Sequence, residues 1–233
     1  MRLLKMFVLG LALGSSGWLW PQNSGFRVKA PVTVQRASGE TTSADSSGVV
    51  VWLTPLAAQT PRKALPPVQG LRLAQKSKHF EPHMIVATAG STVEFPNHDP
   101  FFHNVFSLYK GKRFDLGFYE AGSSRSVRFD RPGVSFIFCN IHPEMSAVVL
   151  VLDTPYYAVS NQAGEIQIPQ VPPGRYRVEY WFERSSPELL GALSREVEIS
   201  GDAQLGKAVI PEVTVNVTHK NKYGKDYETR NTY

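Results

Sequence analysis

Phe138-Cys139-Asn140-Ile141-His142-Pro143-Glu144-Met145 is the stretch on which the reading of this chain turns. It follows the apolar run from Ser135, so the cysteine sits at the end of a predicted strand and the other residues form a short loop. The spacing is C-x2-H-x2-M: a thiol, an imidazole and a thioether within seven residues. A second histidine, His103, stands at the start of another strand-like run, in Pro100-Phe101-Phe102-His103-Asn104-Val105. Cys139 is the only cysteine of the 233 residues, so the chain cannot close an internal disulfide. Alone it would read as a small buried hydrophobe. Its neighbours make it a candidate ligand.

Two imidazoles, a thiolate and a thioether form the donor set of a copper site with a trigonal His2Cys plane and a long axial methionine. Thiolate and thioether suit Cu(I), and imidazole suits both oxidation states. Three donors on one loop cost little closure entropy, and a strand can pin the fourth. C-x2-H taken alone would also serve a zinc site. Taken together, His103, Cys139, His142 and Met145 point to one copper ion, Cu(I)/Cu(II).

The predicted elements are short strands separated by turn signals. Between 71 and 152 they fall at Leu71–Gln75, His83–Ala87, Ser91–Phe95, Asn104–Leu108, Ser124–Phe129, Ser135–Cys139 and Ala147–Leu152. Ala89-Gly90, Asn97-His98-Asp99-Pro100, Ala121-Gly122 and Arg131-Pro132-Gly133 mark turns. Gly90-Ser91-Thr92-Val93-Glu94-Phe95-Pro96-Asn97, then His103-Asn104-Val105-Phe106, then Cys139-x2-His142-x2-Met145 resembles a cupredoxin, with a ligand loop most similar to that of amicyanin. The resemblance covers residues 71–152 and implies a Greek-key β-barrel or sandwich. It implies that Asn104 sends its side chain to tie the His103 strand to the ligand loop near the Cys139 sulfur. It further implies that His142 is the partly exposed ligand, rimmed by Phe101, Phe102 and Pro143 as an apolar docking surface for a redox partner protein.

A second unit is predicted from 26–58 plus 155–217. Val49-Val50-Val51-Trp52-Leu53 is continuously apolar, as for a strand buried on both faces. Tyr176, Val178, Tyr180 and Phe182 alternate with charged residues, and a short helix is expected near Ser186–Leu193. Ser160 to Pro169 followed by Val171-Pro172-Pro173-Gly174-Arg175-Tyr176-Arg177-Val178 resembles a carboxypeptidase regulatory-like (transthyretin-like) β-sandwich. In that family two strands precede this motif, and here they lie before residue 71. The fold class expected is therefore all-β, a cupredoxin unit inserted into an Ig/transthyretin-like sandwich across a Pro-rich connection, 54–70. Residues 218–233 read as a flexible polar tail.

The composition agrees: 42% hydrophobic, 19% charged, with 18 Gly and 17 Pro, enough for a packed core rich in turns. The formal charge of +5 carries no Lys/Arg block interleaved with aromatics, so no nucleic-acid partner is expected. Residues 1–20 have a basic start (Arg2, Lys5) and an apolar stretch shorter than the about 20 residues that span a bilayer. They read as a signal peptide or an uncleaved N-terminal anchor, which would be the sole membrane contact of a monomeric periplasmic or secreted protein. No nucleophile elbow, paired carboxylates or H-E-x-x-H is present, so no enzyme activity is expected. The donor set leaves two alternatives to electron transfer: copper handling without redox traffic, and a structural module with a vestigial site. His79, His83 and His98 match no metal spacing, and the Asn216-Val217-Thr218 sequon falls in a strand pattern.

Overall fold

Strand propensity governs almost every element. The structure, a computed structural model, describes residues 25–36, 45–56, 66–108, 111–213 and 219–227. Among these residues every regular element but one is a strand, so the chain is all-β. The exception is the helix Pro187–Ala192, capped by the Ser186 side chain. The leader 1–20 and the 216–218 sequon lie outside the described residues. No described helix is long and apolar enough to cross a membrane.

The strands between 71 and 152 make two facing sheets. One runs Phe114–Tyr119, His103–Ser107, Gly133–Cys139, Ser146–Leu152, Met84–Thr88 in spatial order; the other runs Ser124–Phe129, Ser91–Pro96, Leu71–Arg72. Their inward residues, among them Val93, Phe95, Val105, Phe129, Ile137 and Val149, form one core. Sequence reading missed Phe114–Tyr119 because Gly117 interrupts it. That glycine takes a left-handed φ of 67° at a break in register between Asp115 and Phe118. It also merged the first strand with a hairpin, Ala74–Lys76 with His79–Glu81, which turns at Ser77 and Lys78.

The flanking strands pair across the gap in sequence. Val50–Pro55 lies between Tyr157–Val159 and Gly174–Trp181, Phe26–Lys29 lies beside Gln167–Val171, and Val32–Arg36 beside Ala208–Glu212. A second core gathers residues from Val28 to Leu53 with residues from Ile166 to Ile210. Both ends of the 71–152 unit meet at one turn. Thr88 donates to Pro66 O (3.0 Å), Val68 N–H to Ser91 Oγ (2.8 Å), and Ala89 N–H to Leu152 O (2.9 Å).

A third apolar cluster explains the continuous apolar run. Val49, Val51 and Leu53 face the second core, while Val50 and Trp52 face outward onto Leu150, Leu152, Met84 and Val86 of the other unit. Beside this layer His83 Nε2 lies 2.6 Å from Glu183 Oε2.

Candidate metal centre

His103 opens a strand on which every residue is buried, Cys139 ends the neighbouring strand, and the two strands pair at Cys139 and Val105. That pairing sets one imidazole beside the sulfur. The loop after Cys139 closes on itself: Met145 N–H donates to His142 O (3.1 Å) and Cys139 N–H to Met145 O (3.3 Å). His142 is thereby turned back, and His103 Nδ1 and His142 Nδ1 each lie 3.5 Å from Cys139 Sγ. Among the described residues this trio is the one cluster of His, Cys and carboxylate donors fit for a metal ion, with all three atoms within 4.8 Å of one another. Met145 is fully buried in the same core as Cys139.

His103 and Cys139 are wholly buried and His142 half so. Burial pushes the Cys139 thiol above its ordinary value, against the N–H groups of Ile141, Asn104 and His142, which favour the thiolate. Burial and the neighbouring His103 hold His142 below the usual histidine value, so its ring is neutral and its nitrogen lone pair is available. A thiol that resists ionising beside an imidazole held neutral fits a soft cation: the metal charge supplies the favourable term that burial removes.

Behind His103 stands a residue that sequence reading treated only as part of a turn. His103 Nε2 lies 2.9 Å from Asp99 Oδ2, four residues upstream and 5% exposed. Asp99 also accepts N–H groups from Ser77 (2.5 Å) and Lys78 (3.0 Å) at the hairpin tip. Asn97 fixes the turn by accepting Asp99 N–H (3.0 Å) and donating to Phe101 O (2.8 Å). Burial raises the Asp99 carboxyl, but the bonds from Lys78, His103 and Ser77 outweigh it, so it sits below the usual carboxylate value.

Two expectations need correction. The Asn104 side chain does not reach the ligand loop; it donates to Asp115 Oδ1 (2.6 Å), because its strand turns that side chain toward Phe114–Tyr119. The tie to the loop comes from its main chain, whose carbonyl accepts Asn140 N–H (2.9 Å). The tail, expected to be flexible, is docked from His219 to Tyr227. His219 stacks on Phe138 with ring centroids 3.9 Å apart and bonds Pro143 O (2.7 Å). Lys222 N–H donates to Asn140 Oδ1 (3.0 Å), its ammonium to Asp115 (2.9 Å), and Tyr227 OH to Cys139 O (2.8 Å). The segment straps the outer side of the ligand loop. The aromatic and cationic residues of 219–227 were the available signal, hidden by the polar composition around them.

Of the expected rim, Phe102 is 55% exposed and Pro143 is exposed, joined by Ile141. Phe101 instead packs on both imidazoles, 5.3 Å from His103 and 5.7 Å from His142 between ring centroids. His79, His83 and His98 do not converge. His79 bonds Ser77 O, His83 bonds Ser146 O and Glu183, and His98 is exposed.

No protein-family model matches the chain, and no curated protein sequence matches it. Copper proteins are among the solved structures similar to part of it. One is a purple cupredoxin from Nitrosopumilus maritimus, 22% identical over 36% of this chain and 100% of that one, with a TM-score of 0.33. Amicyanin from Paracoccus versutus is 20% identical over 43% of this chain and 97% of that one, with a TM-score of 0.34. A Cu-containing nitrite reductase from Thermus scotoductus is 25% identical over 43% of this chain, with a TM-score of 0.35, and the match spans 26% of its length.

Proposed function

We propose that this chain is an exported one-electron carrier that would hold a single copper ion on His103, Cys139 and His142, with Met145 as the fourth donor. The observation that carries the reading is the convergence of both imidazole Nδ1 atoms on the one cysteine sulfur, each at 3.5 Å. A bound copper ion would supply a Cu(I)/Cu(II) couple there. The protein's part is to hold the donors still. His103 is locked between Asp99 and the core, and the 139–145 loop is closed by its own main-chain bonds and by the strap. Donors that barely move between oxidation states keep the reorganisation on electron transfer small. His142, half-buried between the exposed Ile141 and Pro143, is the donor at which a redox partner protein would dock. No catalytic step is assigned. For the second unit we keep the carboxypeptidase regulatory-like reading, supported by the turn before Gly174 that feeds the strand Gly174–Trp181.

The test is the visible spectrum of the copper-loaded protein. An intense thiolate-to-Cu(II) band is expected, lost in Cys139→Ser while the metal-free fold is kept, since the main-chain N–H groups around the sulfur can serve a hydroxyl. A reversible couple separates electron transfer from copper handling. A Ser variant that stays coloured, or a protein that takes up zinc only, would defeat the reading.

A further inference from the structure

The side chain behind His103 is a carboxylate in a site with almost no access to water. His103 is fully buried and Asp99 5% exposed. The carboxylate has three N–H partners, His103 Nε2, Ser77 N and Lys78 N. Both main-chain donors come from residues held at left-handed φ, 54° at Ser77 and 58° at Lys78, a conformation that ordinary side chains rarely adopt. The hairpin tip is thus bent so that two successive N–H groups face one carboxylate. This is a built anion site, and its third partner is the ring of a proposed metal ligand.

Two consequences follow for His103. A carboxylate oxygen can only accept, so Nε2 carries the proton and Nδ1, the atom facing Cys139 Sγ, carries the lone pair. The negative charge beyond the ring also raises the basicity of Nδ1. With Cys139 ionised, two buried negative charges flank the metal position, one on the sulfur and one on Asp99. They balance the charge of Cu(II). They leave a net negative centre around Cu(I), which the buried surroundings of His103, Cys139 and Asp99 solvate poorly.

We infer that Asp99 is a positioning residue for the copper site, fixing the His103 tautomer and biasing the site toward Cu(II). This rests on the copper reading above. A role confined to bracing the hairpin would predict a less stable protein with an unaltered couple, and that difference is measurable.

The experiment compares wild type and Asp99→Asn, copper-loaded, by voltammetry and by melting of the metal-free forms. The amide oxygen still accepts the His103 proton, but the charge is gone. The ratio of Cu(I) to Cu(II) affinity should rise about tenfold, which for a one-electron couple is about 59 mV upward. A change under threefold, or one in the opposite direction, overturns the inference even if the melting temperature falls. Should Asp99→Asn not fold, nitrogen-15 spectra of the histidine rings in Cu(I)-loaded wild type decide. The proton on Nε2 of His103, slow to exchange, is expected, and a proton on Nδ1 overturns the inference. A wild type without the thiolate band removes the function proposed above and this inference with it. A coloured wild type with an unmoved Asn variant removes only the inference.

Discussion

Replacing Tyr227 with Phe tests the strap with the smallest change available. The hydroxyl donates to Cys139 O at 2.8 Å and lies 3.2 Å from His219 Nδ1. On its other edge His219 Nε2 faces the Pro143 carbonyl at 2.7 Å, so the ring lies between the tyrosine and the ligand loop. Burial pushes the phenol well above its ordinary value, with Cys139 and Glu144 adding to it, so the donor is present at any pH near neutral. Tyr227→Phe keeps the ring against His219, at 5.2 Å between centroids, and removes only the oxygen. One hydrogen bond contributes about 1 kcal/mol net, and the carbonyl of the buried Cys139, left unpaired, adds up to about as much again. A loss of about 1–2 kcal/mol lowers the melting temperature of a chain this size by about 2–8 °C. Thermal unfolding should show the same drop in metal-free and copper-loaded protein, since the contact is to the main chain and not to a donor atom. Tyr223→Phe, at a ring 71% exposed, is the control and should change the melt by less than about 0.5 kcal/mol. If Tyr227→Phe melts with the wild type, or the control falls as far, the strap does not hold the ligand loop.

Two further outcomes concern the join between the two units. The bond to Glu183 is the largest cause raising the His83 pKa, so the stabilisation is fully present below the unfolded value of about 6.5 and is lost as pH rises through the raised folded value. With the His83 side chain 52% exposed it amounts to under about 1 kcal/mol; Glu183→Gln should flatten the alkaline fall in melting temperature, and an identical profile would refute the assignment. Replacing residues 71–152 by a short Gly/Ser bridge should leave a cooperatively melting β protein by circular dichroism, because the 26–55 strands pair with the 157–212 strands. An unfolded bridged chain, with residues 155–217 melting cooperatively alone, would refute it.

What could be read in the sequence was local. The donors at 139, 142 and 145 sit on one loop, and the alternation of Tyr176, Val178 and Tyr180 survives as buried positions on one strand. Within the quoted run from Ser160 to Pro169 the chain turns at Gly164, which has a φ of 75° and Val32 O where a β-carbon would lie. The double-faced run at Val49–Leu53 was recognisable, but not what covers its second face, since Leu150 and Leu152 are a hundred residues away. Asp99 escaped because Asp before Pro is an ordinary turn signal, and nothing local says that the carboxylate faces a histidine. The strap escaped because its bonds span 76 to 107 residues, a distance at which composition carries no information.

The pairing of early with late strands constrains the order in which this chain can become itself. The contacts joining Val49 and Leu53 to their partners span 111 and 101 residues. As the chain emerges from its first residue, the apolar strand Val50–Pro55 appears long before Gly174–Trp181 exists to cover it, and bare strand edges of this kind recruit other chains. The intervening residues can shorten that exposure. Once 71–152 has folded, its two ends meet at the Thr88–Ser91 turn, and the loop to be closed shrinks from about 100 residues to roughly 20, easing closure by about 1.4 kcal/mol. That corresponds to about a tenfold faster encounter of the waiting strand with its partners. The ligand-bearing unit would act during biosynthesis as a clasp for the sandwich around it, so substitutions that slow its folding should appear first as aggregation of nascent protein rather than as loss of metal.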